Sequence, residues 1–204
     1  MRHLIIFTRS PQLGAVKRRL AQSIGGLAAL RFHRAMQARL IHRLGNDPRW
    51  RTWIAITPDI RARNNFINQG RGDLGQRMAR CFAKLPPGPA LLIGSDIPDV
   101  TAAHICRAFA SLGKHDLVFG PARDGGYWLA GLKRLRPMPA TLFKAVRWSG
   151  PHALADTKKN AGSQKIGFAD TLSDVDTPAD YDHWRRLCSS SRGMISTKLQ
   201  GLKR

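Results

Sequence analysis

Short apolar runs alternate along the chain with stretches of helical period. His3 to Thr8, Thr52 to Thr57, Ala90 to Gly94 and Asp116 to Gly120 are rich in Ile, Leu, Val or Phe and are bounded by Gly, Pro or Asp. That is the pattern of strands buried on both faces. Tyr127 to Leu132 and Lys165 to Phe168 predict two more. Between the runs, Ala28, Phe32, Met36, Leu40 and Leu44 recur every four residues and predict a helix over 26–44, with Arg31, Arg34, Arg39 and Arg43 on its other face. Further helices are predicted over 74–85, stopped by Pro86-Pro87, and over 102–112, opened by Thr101 as N-cap and closed near Gly113. A last one starts at Pro178 and runs through Trp184 to about Cys188. The alternation predicts an α/β domain with a mostly parallel central sheet and helices on both faces.

Composition narrows this picture. With 204 residues, 43% hydrophobic and 23% charged, the chain suits a single globular domain, expected over 1–188, with a basic, mobile tail over 189–204. Its apolar runs fall far short of the ~20 residues that span a bilayer. Cys81, Cys106 and Cys188 form neither a CxxC pair nor a disulfide framework, so a reducing cytoplasm is the expected compartment. The charge is the unusual feature: 34 Lys and Arg face 13 acids, all of them Asp, for a formal +21. Weak, non-specific polyanion binding follows from such a balance. The basic residues are nevertheless scattered, and the aromatics are not interleaved with them as in an RNA-binding sheet. The histidines show no HExxH spacing and no GxSxG elbow occurs, which disfavours zinc hydrolysis and serine-triad chemistry.

Five segments carry candidate chemistry. Pro11 to Leu20, after the first strand, is a Gly14-containing turn into a helix; its backbone N–H groups with Lys17 and Arg19 suit nucleotide phosphates, or it is a plain basic surface turn. Asp96, just past the Leu91 to Gly94 run, lies where open α/β sheets bind ligands and suits Mg²⁺ or Mn²⁺, or it caps a turn. Asp124 with Gly125 and Gly126 offers a hydroxyl-binding carboxylate beside a permissive backbone, or an ordinary hairpin turn. Asp174 and Asp176, two apart on an extended segment, point to the same side and can join Asp96 at one divalent cation, or cap the last helix. Gly72, Asp73 and Gly75 open a helix bearing Arg77, which can reach phosphate or base or lie solvated.

In this order, PxxGxxKxRL (Pro11 to Leu20), GDLGxRM (Gly72 to Met78), GSDxP (Gly94 to Pro98), GPxxDGGYxLxGL (Gly120 to Leu132), Trp148-Ser149 and DxDTPxD (Asp174 to Asp180) resemble the bacterial family DUF2064. That family is GT-A-like and is placed among nucleotide-diphospho-sugar transferases, with members tied to selenium-domain and radical-SAM neighbours or to arsenosugar synthesis. The resemblance implies a Rossmann-like GT-A fold and a transferase of the glycosyl or nucleotidyl kind. Its donor is an NDP-sugar or NTP, its acceptor a small molecule and its cofactor Mg²⁺ or Mn²⁺. Pro11, Gly14, Lys17, Arg19, Gly72, Asp73, Gly75 and Arg77 are then expected at the nucleotide phosphates, with Lys17 also assisting catalysis. Asp96, Asp176 and Asp174 are expected at the metal. Asp124, as candidate base, joins Gly125, Gly126, Tyr127 and Trp148 on the acceptor side. Arg18 stands where the family usually has Thr, Gln76 where it has Glu, and Asp99 replaces a small residue. These departures keep open a non-catalytic GT-A-like domain; a polyanion binder is the other alternative.

Overall fold

The computed structural model describes residues 1–61 and 64–186. Seven strands, β1 (His3–Arg9), β2 (Arg51–Thr57), β3 (Phe66–Asn68), β4 (Ala90–Gly94), β5 (Leu117–Pro121), β6 (Tyr127–Leu132) and β7 (Ile166–Phe168), form one sheet in the order β3-β2-β1-β4-β6-β5-β7. Only β6 runs against its neighbours, β4 and β5; every other pairing is parallel. The helices are α1 (Arg18–Ile24), α2 (Gly26–Leu44), α3 (Leu74–Ala83), α4 (Ala102–Lys114), α5 (Ala153–Asn160) and α6, over 178–186. The expected end of α6 near Cys188 and the tail over 189–204 lie outside the described residues.

Continuous apolar strands work because successive side chains face opposite layers. Leu4, Ile6, Leu91, Ile93 and Val118 pack on one face with Leu40 and Leu44 of α2 and with Ile105, Phe109 and Leu112 of α4. Ile5, Leu92 and Phe119 pack on the other with Met78, Cys81 and Phe82 of α3. A smaller cluster joins Leu20 of α1 and Phe32 and Met36 of α2 to Val175, beside Tyr181 and Trp184 of α6. It ties the chain's return segment to the first helices.

The helical stripe differs from its expected form. Steps of four residues advance about 40° too far per step on a 3.6-residue helix, so Ala28 has rotated into solvent and Ala29 is buried in its place. The inward set is Ala29, Phe32, His33, Met36, Leu40 and Leu44. α4 continues past Gly113 and closes where the His115 N–H reaches the Ser111 carbonyl. β3 and α5 were not expected. One is only three residues long, and the other buries little besides Ala153 and Thr157.

Capping chemistry fixes two helix starts. Thr101 opens α4 in a reciprocal capping box with His104. At α3, Asp73 Oδ1 accepts from the Gln76 N–H at 2.7 Å, while Gln76 Oε1 accepts from the Asp73 N–H at 3.1 Å. Gln76 thus fills the place of the family's usual Glu, since a capping box needs only a side-chain oxygen there. Removing that cap by Asp73→Ala should lower stability by about 1 kcal/mol in urea unfolding. Gln76→Glu should change it by under about 0.5 kcal/mol; a larger loss would show that the oxygen is not what matters.

Candidate active site

After β1 the chain builds outward through β2 and β3, then crosses to place β4 on the other side of β1. The β1/β4 seam is therefore the switch point at which open α/β sheets form a crevice beyond the strands' carboxyl ends. There Thr8 Oγ1 donates to Ser95 Oγ at 2.9 Å, and Gln37 Nε2 from α2 donates to Thr8 Oγ1 at 3.0 Å. A cavity of about 400 Å³ opens over the seam.

Asp96 follows β4 directly and lines this cavity. The Lys17 ammonium holds its Oδ2 at 3.0 Å. Its Oδ1 is buried without a hydrogen-bond partner, 3.7 Å from His33 Nδ1. The other imidazole nitrogen, His33 Nε2, lies 3.1 Å from the Arg9 carbonyl, which can only accept, so Nε2 carries the hydrogen. Burial pushes the Asp96 carboxyl up, but His33 and Lys17 outweigh it and hold the group below the usual carboxylate range.

Lys17, expected at nucleotide phosphates, instead turns inward. Its backbone is left-handed (φ 48°), just ahead of α1, and this aims the side chain into the protein. The ammonium donates to the Val175 carbonyl at 2.6 Å and lies 3.7 Å from Asp176 Oδ1. The Val175 N–H in turn donates to the Asp96 carbonyl at 3.1 Å. Arg19 is exposed and reaches Asp176 Oδ2 at 3.4 Å. Asp180 caps the turn into α6, accepting from the Thr177 N–H and hydroxyl.

The return segment after β7 brings the second acid group. Ala169 and Leu172 donate backbone hydrogens to Phe119 and Pro121 of β5, so the chain tracks along that strand's end and delivers Asp174 to the cavity. Asp124 arrives from the turn between β5 and β6, its Oδ1 accepting from the Gly126 N–H at 2.9 Å. Gly125 serves packing rather than ligand approach: φ is +85°, and a Cβ there would strike the Pro151 backbone. Asp174 and Asp124 also line a second cavity of about 550 Å³, with Arg19, Asp99, Asp176 and Trp184. Burial, then the neighbouring Asp124 and Asp176 carboxylates, push the Asp174 carboxyl above its ordinary value.

The structure thus gathers Asp96, Asp124, Gly126, Tyr127, Trp148, Asp174 and Arg77 around one cavity. Arg19 and Asp176 line the second, while Pro11 and Gly14 line neither. Gly72, Asp73 and Gly75 belong to the start of α3, and Gly75 packs closely on Phe143 and Trp148. Arg18 is exposed on α1. Among the described residues, no three His, Cys or Asp side chains are grouped to hold a metal ion by themselves. His33, Arg9 and Gln69 were missed; His33 had a signal, a polar residue inside the buried stripe of α2. No helix among the described residues is long and apolar enough to cross a membrane.

Two outcomes follow from the lysine geometry. Lys17→Met leaves the Val175 carbonyl and Asp96 without their donor and should lower stability by about 2 kcal/mol in urea unfolding. Because the folded-state pKa of Asp96 is depressed, its charge stabilises the fold above the unfolded value, and that contribution is lost as pH falls through the folded one. The stability difference between wild type and Asp96→Asn should therefore be widest near neutrality and shrink as pH drops below about 4. A difference that stays constant with pH would show that the carboxylate charge is not what Lys17 and His33 hold.

Over 86% of its length, and 82% of the other chain, the protein is similar to a Desulfovibrio desulfuricans G20 structure described as a candidate nucleotide-diphospho-sugar transferase, at 26% identity and a TM-score of 0.79. It shares its fold with molybdopterin-guanine dinucleotide biosynthesis protein A from Archaeoglobus fulgidus, at 12% identity, with 93% of this chain and 100% of that one covered and a TM-score of 0.53. CMP:2-keto-3-deoxy-manno-octonic acid synthetase, solved with CTP, gives 10% identity, 93% and 99% coverage and a TM-score of 0.56. These last two likenesses concern fold alone. No curated protein matches the sequence. A family model described as an uncharacterized protein conserved in bacteria, DUF2064, matches residues 27–150, and the chain belongs to that family.

Proposed function

We propose that the protein is a metal-assisted transferase that takes a nucleotide-activated donor, an NDP-sugar or an NTP, and passes a glycosyl or nucleotidyl group to a small acceptor. The observation that carries this reading is Asp96, held at the β1/β4 switch point by Lys17 and opening onto a cavity that it shares with Asp124 and Asp174. The likeness to the Desulfovibrio protein supports it.

The residues present fit a hard divalent cation. They offer carboxylate oxygens, one of them buried without a partner, and such ions commonly take one or two carboxylates and complete their shell with water and phosphate. Mg²⁺ or Mn²⁺ held by Asp96 and Asp174, with Asp176 nearby, would neutralise charge on the departing phosphate. The chain's own groups do the rest. Lys17 orients Asp96, so it acts through the carboxylate and not on the phosphates directly. Arg19, exposed and paired with Asp176, lines the second cavity and can meet donor phosphate there. Asp124, at the junction of the two cavities, accepts the proton of an acceptor hydroxyl, while Gly126, Tyr127 and Trp148 wall the acceptor side.

A ligand that binds only the folded protein raises its melting temperature. NTPs and NDP-sugars, each with and without Mg²⁺ or Mn²⁺ and in salt high enough to suppress non-specific anion binding, should give a metal-dependent shift confined to one donor. Asp96→Asn should abolish that shift while remaining folded. Equal shifts with every polyanion, or an unchanged shift in Asp96→Asn, would exclude this assignment.

A further inference from the structure

The main cavity has two electrical ends, and the transferase reading uses only one. Asp96, Asp124 and Asp174 reach it from the β4 and β5 side of the sheet. From the β1 and β2 side come Arg9, at the end of β1, and Arg77, on α3. Among the described residues, no carboxylate lies within ion-pair range of either guanidinium. Arginines without a carboxylate partner are common in so basic a chain; what sets these two apart is that both line one cavity, opposite its carboxylates.

Arg77 is also held in place. Gln69 is fully buried, and its Nε2 donates to the Thr8 and Ala55 carbonyls, both at 2.8 Å. With both amide hydrogens used, Oε1 is left to accept from Arg77 Nη1 at 3.0 Å. The guanidinium carbon lies 5.7 Å from the Phe7 ring centroid, and Arg77 Nε makes a long contact of 3.4 Å to the Asp73 carbonyl. Burial, and then the nearby Arg9, both work against the Arg77 charge. Arg9 is exposed, with one long contact of 3.4 Å to the Ala15 carbonyl, so only Arg77 is anchored. Two like charges at one cavity are relieved by an anion between them, and a guanidinium binds phosphate or carboxylate through paired N–H bonds.

We infer that the molecule taken into this cavity carries an oxyanion, phosphate or carboxylate, received by Arg77 and Arg9 and separate from the donor phosphates on the Asp96 side, on a body that packs against Phe7, Tyr127 and Trp148. This rests on the cavity being the substrate site. It makes one of the reactants an acid in its own right, and it excludes neutral sugars and simple alcohols as the group bound at this end.

Phenyl phosphate and benzoate, titrated by calorimetry at fixed ionic strength with a chelator present, test it. At least one should bind wild type while phenol does not, and the tighter of the two identifies the oxyanion as phosphate or carboxylate. Arg77→Gln should weaken that binding about tenfold or more. Arg9→Gln, at an exposed side chain that leaves the fold intact, should weaken it severalfold. Arg136→Gln, at an exposed arginine that follows β6 and lines a different cavity, should not change it. Binding of neither probe, full affinity in both cavity variants, or an equal loss in Arg136→Gln would overturn the inference. Asp96→Asn should retain probe binding, because no metal is involved; if it loses the metal-dependent donor shift and keeps the probe, the two sites are separate. If wild type shows no donor shift at all but the arginine variants lose the probe, the transferase assignment falls and the oxyanion site stands.

Discussion

One buried ammonium organises the site. Lys17 Nζ meets Asp96 Oδ2, the Val175 carbonyl and, at longer range, Asp176 Oδ1, so a single side chain joins the loop after β1, the loop after β4 and the segment after β7. Taking an ammonium out of water costs several kcal/mol unless its donors are matched. Any drift of one segment from the other two would leave the buried ammonium without an acceptor. The Val175 N–H bond to the Asp96 carbonyl closes the same junction from the backbone side. The left-handed backbone at Lys17 is what turns the side chain into the junction, and a non-glycine residue holds that conformation only where its surroundings compel it. This knot sets Asp96 in the cavity and anchors the segment that carries Asp174, while Asp124 is held by its own turn.

The distribution of acids in so basic a chain reinforces this. Some serve the fold in ordinary ways: Asp47, Asp156 and Asp170 pair with Arg49, Arg147 and Arg107 on the surface, where such pairs contribute little, about 0–1 kcal/mol. Asp73 and Asp180 cap helices. Asp174 does neither. Burial and neighbouring carboxylates disfavour its charge, which makes it a cost to folding where it stands. A carboxylate whose charge is disfavoured in a cleft is a functional-site candidate, and the arginine end of the same cavity has the complementary property of cations without a carboxylate partner.

Most of the sheet was legible because its strands are short apolar runs with polar punctuation, a signal that survives in one sequence. β3 was not, since Phe66-Ile67-Asn68 is too short to show alternation and pairs only with the edge of β2. α5 was not, because it buries Ala153 and Thr157 and so carries almost no apolar stripe. At the site, Asp96 was legible from its place after a strand. The inward turn of Lys17 was not, because it depends on a backbone conformation that residue type does not announce. Arg9 and Arg77 could not be paired from sequence either: the fold brings them to one cavity, and the contact that fixes Arg77 is Gln69, a residue with no pattern of its own.

The two cavities meet at Asp124 and Asp174, which line both. A boundary made of two carboxylates, one with its charge already disfavoured, repels a phosphate unless something positive stands between them. It equally disfavours a dry apolar group, which would strip water from both acids at once. What such a boundary accepts is a cation or a hydrogen-bond donor able to surrender a proton. An activated donor on one side and an acceptor hydroxyl or amine on the other would present these things at the instant of transfer. With arginines at the far end of the main cavity, anionic groups are drawn away from the boundary, and the charge pattern orients a substrate before any single contact does.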